Sequence, residues 1–282
     1  MNPLIKTLKA ANFIAGKANT AEEIKRHRKL ADWAGRLATP KGDVERRRFR
    51  LGKIRCEEVR PFFAHNPDYV ILYCHGGGYV SGGLDYAGNL SVKLAMATGF
   101  TVYSFAYRLA PEHPYPAAQE DVDVVWEYLT ENAAEADHVL LAGDSAGGNM
   151  ALCLTQRLLA EGKPVPRELL LFSPWTDMTG TAESYETNRD IDPILSREFV
   201  LNSARAYMGT GTRKTRHSAR CSGALRIFRR STLWREETVF YWMTVSSSRS
   251  ESIRPVGRRS LTLKRKDGTC ISRCRAPWPE RP

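Results

Sequence analysis

A serine between glycines, at the junction of a predicted strand and a predicted helix, is the residue of this chain best suited to covalent chemistry. Residues 143–147 fit the G-x-S-x-G pattern, and they lie between an apolar run and a helical stretch. Such a turn exposes the serine hydroxyl at the carboxyl end of the strand, above the partial positive charge of the helix N-terminus. The pattern predicts a nucleophile, and its residues are Gly143, Asp144, Ser145, Ala146 and Gly147.

A second glycine-rich segment follows an earlier apolar run and is suited to stabilising negative charge. It consists of His75, Gly76, Gly77 and Gly78. Because glycines let the backbone approach a substrate closely, we predict that the N–H groups of Gly76, Gly77 and Ala146 form an oxyanion hole. The two motifs, in this order and spacing, indicate acyl transfer more specifically than either does alone.

The elements that must position these residues follow from hydrophobic periodicity. Continuous apolar runs, typical of strands buried on both faces, occur at residues 69–74, 101–105, 139–142 and 169–172. Helical stretches lie between or after them at residues 89–97, 117–132 and 146–160. This alternation predicts a parallel sheet with right-handed crossovers and helices on both faces.

The pattern differs towards both ends of the chain. Residues 1–50 look helical, with one of two apolar stripes through Ile24, Leu30, Trp33 and Leu37, and the arginines at 46–48 and 50 are interpreted as a solvated linker. Residues 191–208 again predict a helix, with Ser196 as its N-cap. Beyond residue 211 the periodicity stops, and only residues 238–245 have the composition of a strand.

Over about residues 1–210 the chain resembles the hormone-sensitive-lipase-like group of α/β-hydrolases. That group pairs a His-Gly-Gly-Gly loop with a Gly-Asp-Ser-Ala-Gly-Gly elbow, as this chain does at residues 75–78 and 143–148. The similarity extends to residues 107–118, 173–175 and 192–196. The resemblance implies a carboxylesterase or lipase that acts on short- or medium-chain acyl esters through an acyl-enzyme, with no cofactor and no metal.

The resemblance also implies an architecture. It is an α/β-hydrolase fold with a mostly parallel sheet, helices on both faces and a helical cap. Residues 1–45 and a segment near 185–208 would form the cap, and residues 46–210 would contain the hydrolase core. In that group the histidine that begins the glycine loop is not the catalytic base, so we assign His75 to shaping the loop.

The remaining triad residues are not identifiable. The group supplies an Asp and then a His after its last two strands, whereas residues 211–282 contain only Asp267 and, ahead of it, His217. That order is reversed, and neither residue ends a recognisable strand. The other histidines have no special context and are assigned to surface or structural positions, namely His27, His65, His113 and His138.

A shift of reading frame near residue 210 would explain this gap. In the shifted frame, each new codon consists of the third base of one residue's codon and the first two bases of the next residue's codon. Read in this way, residues 240–244 encode Leu-Leu-Asp-Asp whichever synonymous codons are used. This resembles the group's sequence beside its catalytic Asp. We therefore interpret residues 211–282 as a basic Arg/Ser-rich tail that is frame-shifted, aberrant and poorly ordered.

The charge distribution leaves a second function open. The chain has a net charge of +11, but residues 1–210 carry a net −2 and residues 211–282 a net +13. The alternative is thus a catalytically inactive hydrolase-like binding protein whose basic tail attracts nucleic acid or anionic membranes. Because a frame-shifted GC-rich gene would supply arginines without selection for binding, we expect no specific nucleic-acid partner.

Partners and location are the last expectations from the sequence. No apolar run approaches the roughly 20 residues that a membrane span needs, and no early stretch has the features of a secretory leader. We therefore expect a cytoplasmic protein with a small-molecule ester substrate and no membrane span. A homo-oligomer is compatible with the sequence.

Overall fold

A computed structural model of the chain describes residues 21–63, 66–189, 192, 195–209, 240–244, 261–264 and 270–274. The strands in these parts are β1 Val44–Leu51, β2 Ile54–Pro61, β3 Val70–Cys74, β4 Thr101–Ala106, β5 Val139–Asp144, β6 Glu168–Phe172, β7 Phe240–Thr244, β8 Leu261–Lys264 and β9 Cys270–Cys274. The helices are α1 Ala21–Ala38, α2 Leu84–Thr98, α3 Ala117–Asn132, α4 Ala146–Ala160, α5 Ser184–Thr187 and α6 Arg197–Met208.

Seven strands form one mixed sheet in the order β1-β2-β4-β3-β5-β6-β7. The four central strands are parallel, and β3 lies in register between β4 and β5, with Val70 opposite both Thr101 and Val139. The outer pairs β1/β2, β2/β4 and β6/β7 are antiparallel. Because parallel strands end at the same edge of the sheet, the segments after β3 and β5 meet there, which brings the two glycine-rich motifs together.

The central strand β3 contributes side chains to two hydrophobic cores. Leu72 points to the larger core, which contains Met150 of α4, whereas Ile71 and Tyr73 point to the smaller core with Val92 of α2. Successive side chains of a strand alternate between faces, so a strand covered on both faces must be apolar at every position. This confirms the mostly parallel α/β sheet predicted from the continuous apolar runs.

Helix positions also agree with the periodicity. The structure gives α3 and α4 the predicted bounds and starts α2 five residues earlier than expected, at Leu84. Helix α6 begins at Arg197, and the side chain of Ser196 accepts a hydrogen bond from the Phe199 N–H at 3.1 Å. The predicted N-cap is therefore confirmed.

The interpretation of the arginine cluster as a linker is wrong, because those residues belong to β1. Its partner β2, which the sequence analysis did not predict, buries Glu57 and Glu58 to about the level of the core. Across the ladder, Arg46 and Arg48 pair with Glu57, and Arg47 pairs with Glu58. A buried carboxylate is tolerated only when it is paired, so these strands are stabilised by opposite charges rather than by apolar side chains.

The two ends of the chain are described in part. Helix α1 lies where the second apolar stripe predicted a helix, although Trp33 and Leu37 are exposed by 59% and 67%. Strand β7 confirms the strand expected within residues 238–245. The predictions for residues 1–20, His65, His217, Asp267 and the rest of the tail lie outside the described residues. None of the helices described is long and apolar enough to cross a bilayer.

Candidate active site

Ser145 lies in the tight turn between β5 and α4. Its backbone has φ 50° and ψ −115°, a left-handed conformation that is strained for a residue with a side chain and that concentrates at functional sites. The Ser145 N–H donates to the Phe172 carbonyl at 2.9 Å, and the Ser145 carbonyl accepts from the Trp175 N–H at 2.8 Å. The turn is thus held against the end of β6, and in the described part of the chain the serine hydroxyl makes no hydrogen bond.

The glycines of the elbow are required by backbone packing. A Cβ at Gly143 would overlap the backbone of Gly147, and a Cβ at Gly147 would overlap the carbonyl of Cys74 at the end of β3. At Gly148 it would lie 2.8 Å from the Cβ of Pro174. Helix α4 therefore approaches the ends of β3 and β6 more closely than any side chain allows.

The glycine loop after β3 has an unusual backbone at three consecutive residues. Gly77, Gly78 and Tyr79 have φ values of 104°, 64° and 61°. The Gly76 N–H, by contrast, donates to Oδ1 of Asp144 at 2.7 Å. The prediction that Gly76 contributes an oxyanion donor therefore disagrees with the structure, because its N–H is already occupied. Among the described residues, the N–H groups of Gly77, Gly78 and Ala146 have no acceptor.

Asp144 fastens this loop to the elbow. Besides the Gly76 N–H, its carboxylate accepts from the Tyr73 hydroxyl at 2.6 Å and from the Tyr86 hydroxyl at 3.0 Å. Burial raises the pKa of Asp144 above its ordinary value, and the hydrogen bonds from Tyr73 and Tyr86 oppose that rise. Sequence reasoning placed Asp144 in the motif but missed both tyrosines, since each lies in an apolar or helical pattern that predicts only packing.

His75 is part of the wall of the site. Its ring is fully buried and stacks on Tyr107 with centroids 4.2 Å apart, and its Nδ1 lies 2.7 Å from the Gly76 carbonyl oxygen. Burial lowers the pKa of His75 to about 4, so the imidazole is neutral at pH 7. A neutral donor on Nδ1 would hold the carbonyl that begins the glycine loop.

The buried His75 predicts an acid-sensitive stability. In the unfolded chain its pKa is about 6.5, so between that value and about 4 the unfolded state binds a proton that the folded state excludes. We expect this protonation of His75 in the unfolded state to lower the unfolding free energy by about 3 kcal/mol as the pH falls from 7 to 4. Urea titrations at several pH values measure it.

The control for this prediction is His75→Phe, which retains a ring against Tyr107 but cannot titrate. Its unfolding free energy should fall less steeply over the same pH range than that of the unmodified chain. Asp144 titrates in the opposite sense, since its raised pKa favours the folded state in acid, but it is common to both proteins. Parallel pH profiles for the two proteins would contradict the assignment to His75.

One further histidine, His138, lies far from Ser145. His138 precedes β5, whereas Ser145 follows it, so the strand's length of roughly 20 Å separates them. The side chains of Glu135, Asp137 and His138 lie within 4.8 Å of one another and are near enough to share a cation, but they too occupy that far end. In the part of the chain that is described, no histidine is hydrogen-bonded to Ser145.

Comparisons with known proteins identify the family of the chain. The family model of the alpha/beta hydrolase fold matches residues 71–233, past the boundary near 210 at which the resemblance was expected to end. An acetyl-hydrolase of Streptomyces hygroscopicus is 35% identical over 180 residues, which are 64% of this chain and 58% of the relative. An esterase of Acinetobacter venetianus is 33% identical over 181 residues, or 64% and 59% of the two chains.

More distant relatives point to the same group. The mouse (Mus musculus) hormone-sensitive lipase is 28% identical over 155 residues, covering 54% of this chain and 20% of that protein. A crystal structure of an esterase from the bacterial hormone-sensitive lipase family superposes with a TM-score of 0.68 at 28% identity, covering 78% of this chain and 73% of that one. The chain spans less than two thirds of the length of the first two relatives. It belongs to the α/β-hydrolase fold family, within the hormone-sensitive-lipase-like group.

Proposed function

We propose that this protein is a carboxylic ester hydrolase that forms an acyl-enzyme on Ser145. The observation that carries the proposal is the strained, glycine-flanked turn that presents the Ser145 hydroxyl beside unoccupied backbone N–H groups. Relatives named esterase and acetyl-hydrolase support the same reaction class. By resemblance to the group, the substrates are short- or medium-chain acyl esters.

The oxyanion hole that we propose consists of the N–H groups of Gly77, Gly78 and Ala146. In the reaction, Oγ of Ser145 attacks the ester carbonyl carbon, and the carbonyl oxygen gains the negative charge that these three donors stabilise. The alcohol then leaves, and water hydrolyses the acyl-enzyme. Gly76 has a structural role instead, because its N–H donates to the carboxylate of Asp144 and this hydrogen bond fixes the loop.

Both steps need a base that takes and returns a proton. The described residues do not provide one at hydrogen-bonding distance from Ser145. The candidates Asp267 and His217 lie outside the described residues, as does most of the frame-shifted tail that we propose. Because the order of His217 and Asp267 in the sequence is the reverse of the group's, we propose that the chain as written is impaired in turnover while its binding groups are in place.

We also propose that α1, α5 and α6 belong to a cap over this site. Helix α6 contacts the glycine loop, since a Cβ on Gly78 would lie 3.0 Å from Oγ of Ser203. Helix α1 is joined to the same region, because Arg28 donates to the carbonyl oxygens of Val80 and Ala110, each at 2.5 Å. A substrate that reaches Ser145 would pass these helices.

The second candidate is a binding protein without catalysis, and the net charge of +13 on residues 211–282 is the observation behind it. Its basic tail would bind nucleic acid tightly, with an affinity that falls steeply as salt is added. A frame-shifted tail would give only weak, nonspecific association. A salt titration of DNA affinity distinguishes the two.

Cytoplasmic location and oligomeric state stay predictions.

Trapping of the intermediate tests the proposed function. Because acylation without a base is slow, the incubation is long and uses a large excess of a short-chain aryl ester. After acid quenching, we expect peptide mass spectrometry to find the acyl group on the peptide that contains Ser145. The variant Ser145→Ala removes the hydroxyl group but keeps the same number of residues in the turn. It should carry no acyl group on that peptide. Acyl groups found elsewhere, or equally in the variant, would refute the assignment.

A further inference from the structure

A buried chain of polar groups connects four elements beneath the glycine loop. Gln119, in the first turn of α3, is 4% exposed, and its Nε2 donates to the hydroxyl of Tyr79 at 3.2 Å and to that of Tyr207 at 3.1 Å. Tyr79 follows the glycines of the loop, and Tyr207 belongs to α6. One amide group therefore contacts both the oxyanion loop and the helix that lies over it.

The orientation of this amide is determined by Arg157 of α4. The guanidinium donates to Oε1 of Gln119 at 2.8 Å and also pairs with Asp123 at 2.5 Å. A guanidinium has only donors, so the oxygen of the amide must face Arg157 and the nitrogen must face the two tyrosines. Gln119 can accept from Arg157 and donate to both tyrosine hydroxyls, whereas a carboxylate can only accept and an apolar side chain can do neither.

The chain of hydrogen bonds continues from Tyr79 to the elbow. The Tyr79 hydroxyl donates to Oδ1 of Asn149 at 2.7 Å, and Nδ2 of Asn149 donates to the Trp175 carbonyl oxygen at 2.9 Å. The backbone N–H groups of Asn149 and Trp175 both donate to the carbonyl oxygen of Ser145. The position of the Tyr79 hydroxyl is thus linked to the position of the nucleophile.

Tyr79 needs such external support. Its φ of 61° lies in the left-handed region, which a tyrosine adopts only when its surroundings impose it. Its ring stacks on that of Tyr207 with centroids 3.8 Å apart and planes 5° from parallel. Stacking leaves the ring free to slide in its plane, and the directional hydrogen bonds to the hydroxyl remove that freedom.

We propose that Gln119 is a positioning residue that holds Tyr79 and Tyr207 and thereby fixes the glycine loop and α6 relative to Ser145. It touches no substrate. The kinetic test of this inference rests on the proposed ester hydrolysis, whereas its test by hydrogen exchange does not. A buried polar network that is fully satisfied specifies one geometry, and the loss of one donor leaves hydroxyl groups that must reorient.

The test compares Gln119→Glu with Thr155→Val in the full chain. The glutamate retains the size of the side chain and its contact with Arg157 but removes both N–H donors. Thr155→Val is the matched control, because it deletes a buried hydrogen bond within α4, from Oγ1 to the Ala151 carbonyl, that does not belong to this network.

Hydrogen exchange measured by mass spectrometry reports on the stability of the glycine loop and does not require catalytic activity. In Gln119→Glu we expect exchange in the peptide covering residues 75–83 to be about fivefold faster, with no such change in Thr155→Val. Unchanged exchange in this peptide, or equal acceleration in both variants, would overturn the proposal. A chain that shows no acyl-enzyme would refute the proposed function but leave this measurement valid.

Kinetics on a short-chain aryl ester provide the second readout. Misplaced oxyanion donors weaken transition-state binding more than substrate binding, so kcat should fall about tenfold in Gln119→Glu while KM stays within about twofold. Adding Gln119→Glu to the variant Tyr79→Phe/Tyr207→Phe should slow it no further, because Gln119 acts through those two hydroxyl groups. Additive losses, or a rise in KM that equals the fall in kcat, would contradict the proposal.

Discussion

A chain with its reading frame corrected after residue 210 is expected to hydrolyse a short-chain aryl ester on the order of 10⁴-fold faster in kcat/KM than the chain as written. The described residues hold no base for Ser145. A serine hydroxyl without a base stays neutral at pH 7, and the backbone donors alone would retain a small part of the catalysis. The argument rests on residues 240–244, which read Leu-Leu-Asp-Asp in the shifted frame.

The comparison requires both proteins to be expressed side by side, with Ser145→Ala in each as the blank. Binding of a nonhydrolysable ester analogue should differ far less than turnover, since Gly77, Gly78 and Ala146 are present in both. Equal kcat/KM in the two proteins would refute the frame hypothesis. His217, which follows the elbow in the sequence, would then be the first residue to replace.

Gly147→Ala is expected to reduce the unfolding free energy by about 4 kcal/mol or more. The added Cβ would overlap the carbonyl of Cys74, which is backbone and cannot rotate away. Helix α4 must therefore move from the end of β3, and with it the turn at Ser145. Urea unfolding followed by circular dichroism measures the change, and acyl trapping should fall with it.

Gly83→Ala is the matched control for this prediction. Its Cβ would lie 3.5 Å from Oδ1 of Asp32, an ordinary contact, and the Gly83 backbone is extended with φ 173°. We expect a change below about 1 kcal/mol. If both alanine variants were equally stable, the close approach of α4 to β3 would not be the reason for glycine at position 147.

The central part of the fold was predictable because its signals are local. The strand β3 is apolar at each position, α3 and α4 start after a proline and after the elbow, and the G-x-S-x-G pattern implies its own turn. Strands β1 and β2 were missed because they are held by Arg–Glu pairs across the ladder, and such pairing appears only once the partner strand is known.

Within the site, the sequence indicated Ser145 as the candidate nucleophile but not the different roles that we propose for the glycines. Gly76 and Gly77 look equivalent in the sequence, and only the carboxylate of Asp144, 68 residues away, makes the first of them unavailable. The contribution of Gln119 was hidden for the same reason. Its partners come from the glycine loop, α4 and α6, and no spacing in the sequence connects them.

The bridge from Asp144 to Gly76 has a consequence for the energetics of attack. Asp144, which precedes the proposed nucleophile Ser145, also holds the start of the proposed oxyanion loop through the Gly76 N–H, so the attacking atom and its donors would share one rigid frame. Dipoles that are already oriented need no rearrangement as the charge develops, which keeps the reorganisation energy of the first step low. The preorganisation that we propose for this site therefore depends on the fixed length of the Asp144 side chain, together with the hydrogen bonds of Gln119, before any ester is bound.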